Sequence, residues 1–303
     1  MNEYINDETK IAYLIQAYAD NEAFSELVET LLNMKNCHIF VHLDKKSNID
    51  NFYIDNEKVH FIEEREFVSW AGYKQGKLMF NLIDAALNYP LIFERYCFLS
   101  ESDYPVYAAD ELVQRIKEAK PIFINCSEHQ KDKVKRYWFY DFGIKSVRGN
   151  KIVSKIVNTV FGLLYKLQIC KKESKVSLND RKVDVYCSGP FWQYDYEQLL
   201  YIKETFDKNK KFQKYFKSSF ASCELMVSTI IANSRYAEQC KFVNEYINLN
   251  NISALCYFEY TGSRVDVLTA EDYDKIIMSG KPFIRKVKKG KSDVLIEKIK
   301  GNW

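Results

Sequence analysis

The chain has 303 residues, 47% hydrophobic and 28% charged, which fits a folded globular protein and excludes a disordered one. Its net charge of +3 says little about partners, and no nucleic-acid partner is expected. The eight cysteines are scattered without a CxxC pair, which argues against a zinc site or disulfide framework and for a reducing compartment.

In chain order, residues 10–19 (KIAYLIQAYA) read as a buried strand. Residues 22–34 show helical spacing through Phe24, Leu27, Leu31 and Leu32. Residues 37–43 (CHIFVHL) read as a strand that ends in Asp44, and residues 59–62 as a short strand. A helix over 76–87 precedes a strand over 96–99. A helix over 110–119 and a strand over 121–125 follow. This alternation predicts stacked βα units on a mostly parallel sheet. Such sheets bind ligands beyond the carboxyl ends of their strands, where Asp44, Arg65, Glu101, Asp103 and Glu128 fall.

Residues 145–182 differ, with ten Lys or Arg against Glu173 and Asp180. Inside this segment Ile156, Val157, Val160, Leu163, Leu164 and Leu167 recur at helical spacing. The pattern suits an ordinary surface helix, or a helix lying on an anionic membrane. Beyond it, residues 183–187 read as a strand, 194–206 and 220–232 as helices, 254–260 as a strand and 271–278 as a helix. No repeat or linker divides the chain, so one domain is expected. The polar start MNEYINDETK is not expected to act as a signal peptide, and no apolar run approaches the ~20 residues that span a bilayer.

Four features carry chemistry. The stretch CFLSESDYPV spills from a buried strand into Glu101 and Asp103, a spacing that suits metal and nucleotide diphosphate or a polar turn. Asp44 suits ribose or base contacts, or an N-cap. Glu224 stands in the first turn of an apolar helix, favoured there by the helix dipole and equally placed to act as a general base. Arg264, Arg285 and Lys286 offer cations for a diphosphate leaving group, and Trp192 offers a ring for a sugar or for the core.

Taken in order, FVHLDKKS, Arg65 with VSWAGY, CFLSESDYPV, SGPFW, FASCELMVSTIIANS and VLTAEDYDKIIMSGKPFIRK resemble the core-2/I-branching β-1,6-N-acetylglucosaminyltransferase family, which includes the peptide O-xylosyltransferases. The resemblance runs from about Lys10 to Lys286. It implies an α/β GT-A fold with a Rossmann-like, mostly parallel central sheet flanked by helices. It also implies an inverting enzyme that takes a UDP-sugar donor without a bound metal or other cofactor. Under it Glu224 is the base, and Asp44, Arg65, Asp103, Arg264, Arg285 and Lys286 serve the donor. Glu101, Glu128, Arg136 and Trp192 serve the acceptor, with Lys131 and Lys133 as rivals to Arg136. The nucleotide-binding half is placed at about 1–125 and the acceptor half at about 183–286. UDP-GlcNAc is the expected donor, with UDP-xylose or a metal-dependent reaction as the alternative and a non-catalytic glycan-binding or membrane-associated scaffold as the rival of another class. The acceptor is expected to be a glycan or lipid-linked oligosaccharide of a bacterial surface polymer. The expected location is cytoplasmic, with peripheral membrane contact through 145–182.

Overall fold

The computed structural model describes residues 10–33, 36–141, 150–262 and 264–303. Its centre is a five-stranded sheet. Strand β1 (Ile11–Ala17) lies between β2 (Cys37–Leu43) and β4 (Arg95–Ser100), with β3 (Val59–Phe61) outside β2; these four are parallel. A short strand, Gln193–Tyr194, closes the far edge antiparallel to β4. Nearly every residue of β1, β2 and β4 is buried, because helices cover a parallel sheet on both faces and its strands must be apolar throughout.

Helix α1 (Asn21–Leu32) joins β1 to β2. The carboxylate of Asp20 caps it by accepting the N–H of Ala23 at 3.1 Å, and Phe24, Leu27, Val28 and Leu31 face inward. Helix α2 (Tyr73–Leu87) joins β3 to β4. Its N-cap is Gly72, which has no side chain to cap with; Asp141 does so from elsewhere, accepting the N–H of Lys74 at 2.9 Å. A Cβ on Gly72 would lie 2.4 Å from that carboxylate, so the cap and the glycine require each other.

A tight turn after β4 leads into β5 (Asp103–Pro105), which starts a second sheet. There β5 runs antiparallel to Phe283–Arg285, and that strand runs parallel to Cys256–Phe258. A third sheet pairs Ile122–Asn125 with Lys241–Val243 and Tyr186–Cys187. The expected strand over 183–187 is therefore two strands. Val185 separates Arg181–Asp184, a hairpin partner of Lys175–Leu178, from Tyr186–Cys187. The break exists because Val185 serves another segment, its carbonyl accepting the N–H of Cys126 at 2.8 Å. The expected strand over 254–260 likewise splits at Glu259.

The helix expected over 220–232 starts at Ser222, because Ala221 is left-handed with φ +48°. Met34, at the end of the helix expected over 22–34, lies outside the described residues. A helix over Asp293–Lys300, not foreseen from the sequence, packs Leu295, Ile296 and Ile299 against Tyr104, Val106 and Ile284 of the second sheet.

Helix Ser222–Ala232 crosses α2 at Gly76. A Cβ there would meet the tip of Met226 at 2.3 Å and the backbone nitrogen of Cys223 at 3.2 Å. The methionine tip can swing away but the backbone cannot. Gly76→Val is therefore expected to lower stability by about 1–3 kcal/mol, read as a lower denaturation midpoint at unchanged m-value.

Candidate active site

The carboxyl ends of β1 and β2 open into a cleft of about 280 Å³, at the small end of the range for ligand pockets. Asp44, Arg285 and Glu224 all line it. Three distant segments thus bring a carboxylate, a guanidinium and a second carboxylate to one opening.

Asp44 follows β2. Its carboxylate accepts the N–H of Lys46 at 3.1 Å and of Val68 at 3.3 Å, and pairs with Lys46 Nζ at 3.0 Å. Arg65, expected on the donor, instead holds this turn together. Its guanidinium donates to the carbonyls of Leu43 and Asp44, each at 2.9 Å, and of Ser47 at 2.6 Å, and it does not line the cleft. Burial lowers the pKa of His42 to about 4, so the ring is neutral and accepts the N–H of Glu66 at 2.8 Å.

Arg285 owes its place to Asp103. The two residues pair across the second sheet, and Arg285 Nη1 lies 2.9 Å from Asp103 Oδ1. Asp103 has no exposed surface and also accepts the N–H of Ser100 at 2.7 Å. Burial pushes its pKa up to about 6 against the lowering effect of Arg285. The guanidinium also sits 5.0 Å from the ring centre of Phe191. Lys286 follows it without lining the cleft, and Arg264 is exposed on a hairpin whose next residue, Val265, does line it.

Glu224 stands in the first turn of Ser222–Ala232. Its Oε2 lies 2.6 Å from Lys133 Nζ, which is also 3.5 Å from Cys187 Sγ. Burial disfavours the Lys133 charge, but Cys187 and Glu224 outweigh it and hold the pKa well above the ordinary lysine value. Among the rival cations, then, Lys133 faces the site. Arg136 points its guanidinium to the carbonyl of Asn158 at 2.7 Å and stacks on Trp138 at 3.9 Å. The turn before Glu224 is strained. Ala71 and Ala221 both have positive φ, +60° and +48°, and the N–H of Ala221 donates to the carbonyl of Ala71 at 3.0 Å.

Glu128 lines a second, shallower depression with His129, Lys133 and Tyr246. Phe220 belongs to both openings, so its ring and the Lys133–Glu224 pair form the divide between them. Trp192, expected beside the acceptor, is buried. Its ring centre lies 5.4 Å from that of Phe98 and 5.2 Å from that of Tyr194, inside the core. Exposed rings of the cleft are those of Tyr18, 56% exposed, and Trp70, 74% exposed and edge-on to Phe220 at 5.7 Å. Trp70 stood in the VSWAGY segment, but its sequence had no sign that this tryptophan, rather than Trp192, meets solvent.

Glu101 and Asp103 do not converge. Glu101 is buried and absent from the cleft lining; its carboxylate accepts the backbone N–H groups of Tyr18 and, at 3.4 Å, Ala19. Among the described residues no group of three or more His, Cys, Asp or Glu side chains is arranged to hold a metal ion. Burial raises the Glu101 pKa to about 7, partly offset by those amides and by Arg285. The folded protein therefore binds a proton that the unfolded chain releases between the ordinary carboxylate range and about pH 7, so this group's contribution to stability falls as pH rises through that window. Glu101→Gln is expected to flatten the dependence of melting temperature on pH between about 4.5 and about 7. An unchanged slope would remove Glu101 as its source.

The model of the Core-2/I-Branching enzyme family matches residues 11–156. The match takes in Asp44, Asp103 and Lys133, and stops short of Glu224 and Arg285. Among solved structures, the apo structure of a bifunctional glycosyltransferase, WbbM, is similar at 13% identity and a TM-score of 0.37, over 96% of this chain and 47% of that one. The chain thus spans about half the length of that structure. No curated protein matches the chain. The similarity to the Core-2/I-Branching enzyme family is thus carried by residues 11–156, just under half of the chain.

Proposed function

We propose that the chain is an inverting glycosyltransferase that moves a sugar from a UDP-sugar, UDP-GlcNAc in the first instance, to a hydroxyl of a glycan acceptor. The observation that carries this reading is the convergence of Glu224, Arg285 and Asp44 on one cleft at the carboxyl edge of a parallel sheet. A nucleotide-sugar transferase needs a group that recognises the nucleoside, a cation for the departing diphosphate and a base for the acceptor. The cleft holds one side chain of each kind.

In this mechanism the acceptor oxygen attacks the anomeric carbon from the face opposite the diphosphate. Glu224 takes the acceptor's proton as the new C–O bond forms. The bond from the anomeric carbon to the phosphate oxygen breaks, and its electron pair leaves on UDP. Arg285, held by Asp103, meets that growing negative charge with a guanidinium that needs no reorganisation. Lys286 and Arg264 flank Arg285 and Val265 at the rim. The donor occupies the cleft beside Trp70. The acceptor comes by the depression of Glu128 and Tyr246, so that the two meet at Glu224.

Lys133 fits this scheme as the group that orients Glu224. It must give up part of that contact when an acceptor hydroxyl arrives. Lys133→Gln is expected to lower kcat about tenfold or more while leaving UDP-GlcNAc affinity within about twofold, since Lys133 holds the base and not the donor. A kcat within about twofold of the unaltered chain's would remove Lys133 from the mechanism.

Glu224→Gln should reduce transfer about a hundredfold or more while leaving UDP-GlcNAc affinity, measured by calorimetry in EDTA, within about twofold. Transfer retained within about tenfold, ~1.4 kcal/mol of barrier, would overturn the assignment of the base. Donor binding that appears only on adding manganese would overturn the cation-based leaving-group site.

A further inference from the structure

A surface helix ordinarily turns its apolar stripe to the core. The helix Lys151–Lys166 does the reverse. Its small and polar residues face the protein. The Ser154 hydroxyl and Asn158 Nδ2 donate to the carbonyl of Phe139, and Asn158 Oδ1 accepts the Phe139 N–H at 2.8 Å. Arg136 donates to the carbonyl of Asn158 at 2.7 Å, and a Cβ on Gly162 would lie 2.5 Å from that guanidinium. Tyr165 bonds Asp132 through its hydroxyl. These contacts pin the helix about its own axis, so it cannot roll its aliphatic side inward.

The opposite side is left in solvent. Ile152, Ile156, Val160, Leu163 and Leu167 are 48% to 72% exposed, and Ile169 continues the stripe. The helix contains no acid, while Lys151, Lys155, Lys166 and, beyond its end, Lys171 are exposed along it. Residues 145–182 carry ten positive and two negative side chains, a net +8; the whole chain is +3, so the remainder is −5. A net excess of positive charge thus sits at the segment that bears the bare aliphatic stripe. Among the described residues no helix is long and apolar enough to cross a membrane.

We propose that this face docks on an anionic lipid bilayer. The helix lies in the plane of the headgroups, its aliphatic side chains at the acyl boundary and its lysines on lipid phosphates. A second copy of the chain fits the face less well, because it would set lysines against lysines across a helix without a single carboxylate. The surface is separate from the cleft, and its test does not depend on the reading of the cleft.

The test is co-sedimentation of the full chain with phosphatidylcholine vesicles and with vesicles of two parts phosphatidylcholine to one part phosphatidylglycerol. Binding to the phosphatidylglycerol vesicles should be at least tenfold stronger than to phosphatidylcholine alone and should weaken in high salt. The double variant Ile156→Glu, Leu163→Glu alters exposed positions and should keep its melting temperature while binding at least tenfold more weakly. Absence of binding at low ionic strength, or binding that the double variant retains, would overturn the proposal. So would self-association, seen by sedimentation velocity without vesicle binding and abolished by the same variant, which would give the face to a second copy.

Discussion

A carboxylate with no exposed surface needs an opposite charge beside it, and Asp103 finds one in Arg285. Much of the molecule is arranged around that requirement. The turn after β4 carries Asp103 out of the central sheet and into the second one, where backbone pairing sets it opposite Arg285. The N–H of Val287 then returns to the carbonyl of Ser102 at 2.9 Å and locks the turn from the other side. The guanidinium reaches the cleft held from behind by Asp103 and with its position fixed by a β-ladder.

The pair at the opposite wall has the inverse design. There the acid, Glu224, is the group that lines the cleft, and the cation, Lys133, comes from a segment 91 positions earlier. One pair presents a cation with its acid hidden. The other presents an acid with its cation beside it. Under the proposed transfer, departing anion and departing proton are the two charges to be met, and one member of each pair lines the same cleft. The segment that supplies Lys133 also carries Asp132 and Arg136, which hold the outward-facing helix, and ends at Asp141, which caps α2. It is a structural strut as much as a source of one side chain.

The parallel core was legible because strands buried on both faces must be continuous apolar runs, as IAYLIQA, CHIFVHL and RYCFLS are. Asp44, Glu224 and Arg285 were legible because each charge interrupts or ends such a run. What was not legible is where a side chain points once its element is in place. Trp192 and Trp70 both follow short apolar stretches, yet one ring is in the core and the other in solvent. Arg65 and Arg136 look like ligand-binding cations, yet each is consumed by backbone carbonyls. The period of the 151–166 helix shows an apolar face and a polar face. It does not show that Ser154, Asn158 and Gly162 are the side that meets the protein. The second and third sheets join strands far apart in the chain, and no local pattern announces such pairings.

The bond between Asp103 and Arg285 also sets an order of events. Its two ends are 182 positions apart. A growing chain that has already laid down β1, β2 and β4 still lacks the cation for its buried carboxylate until residue 285 has been made. The second sheet, the paired acid and the guanidinium-bearing wall of the cleft come into being together, once residue 285 has been made. A nascent fragment can thus acquire the wall that carries Asp44 well before the wall that carries Arg285 exists.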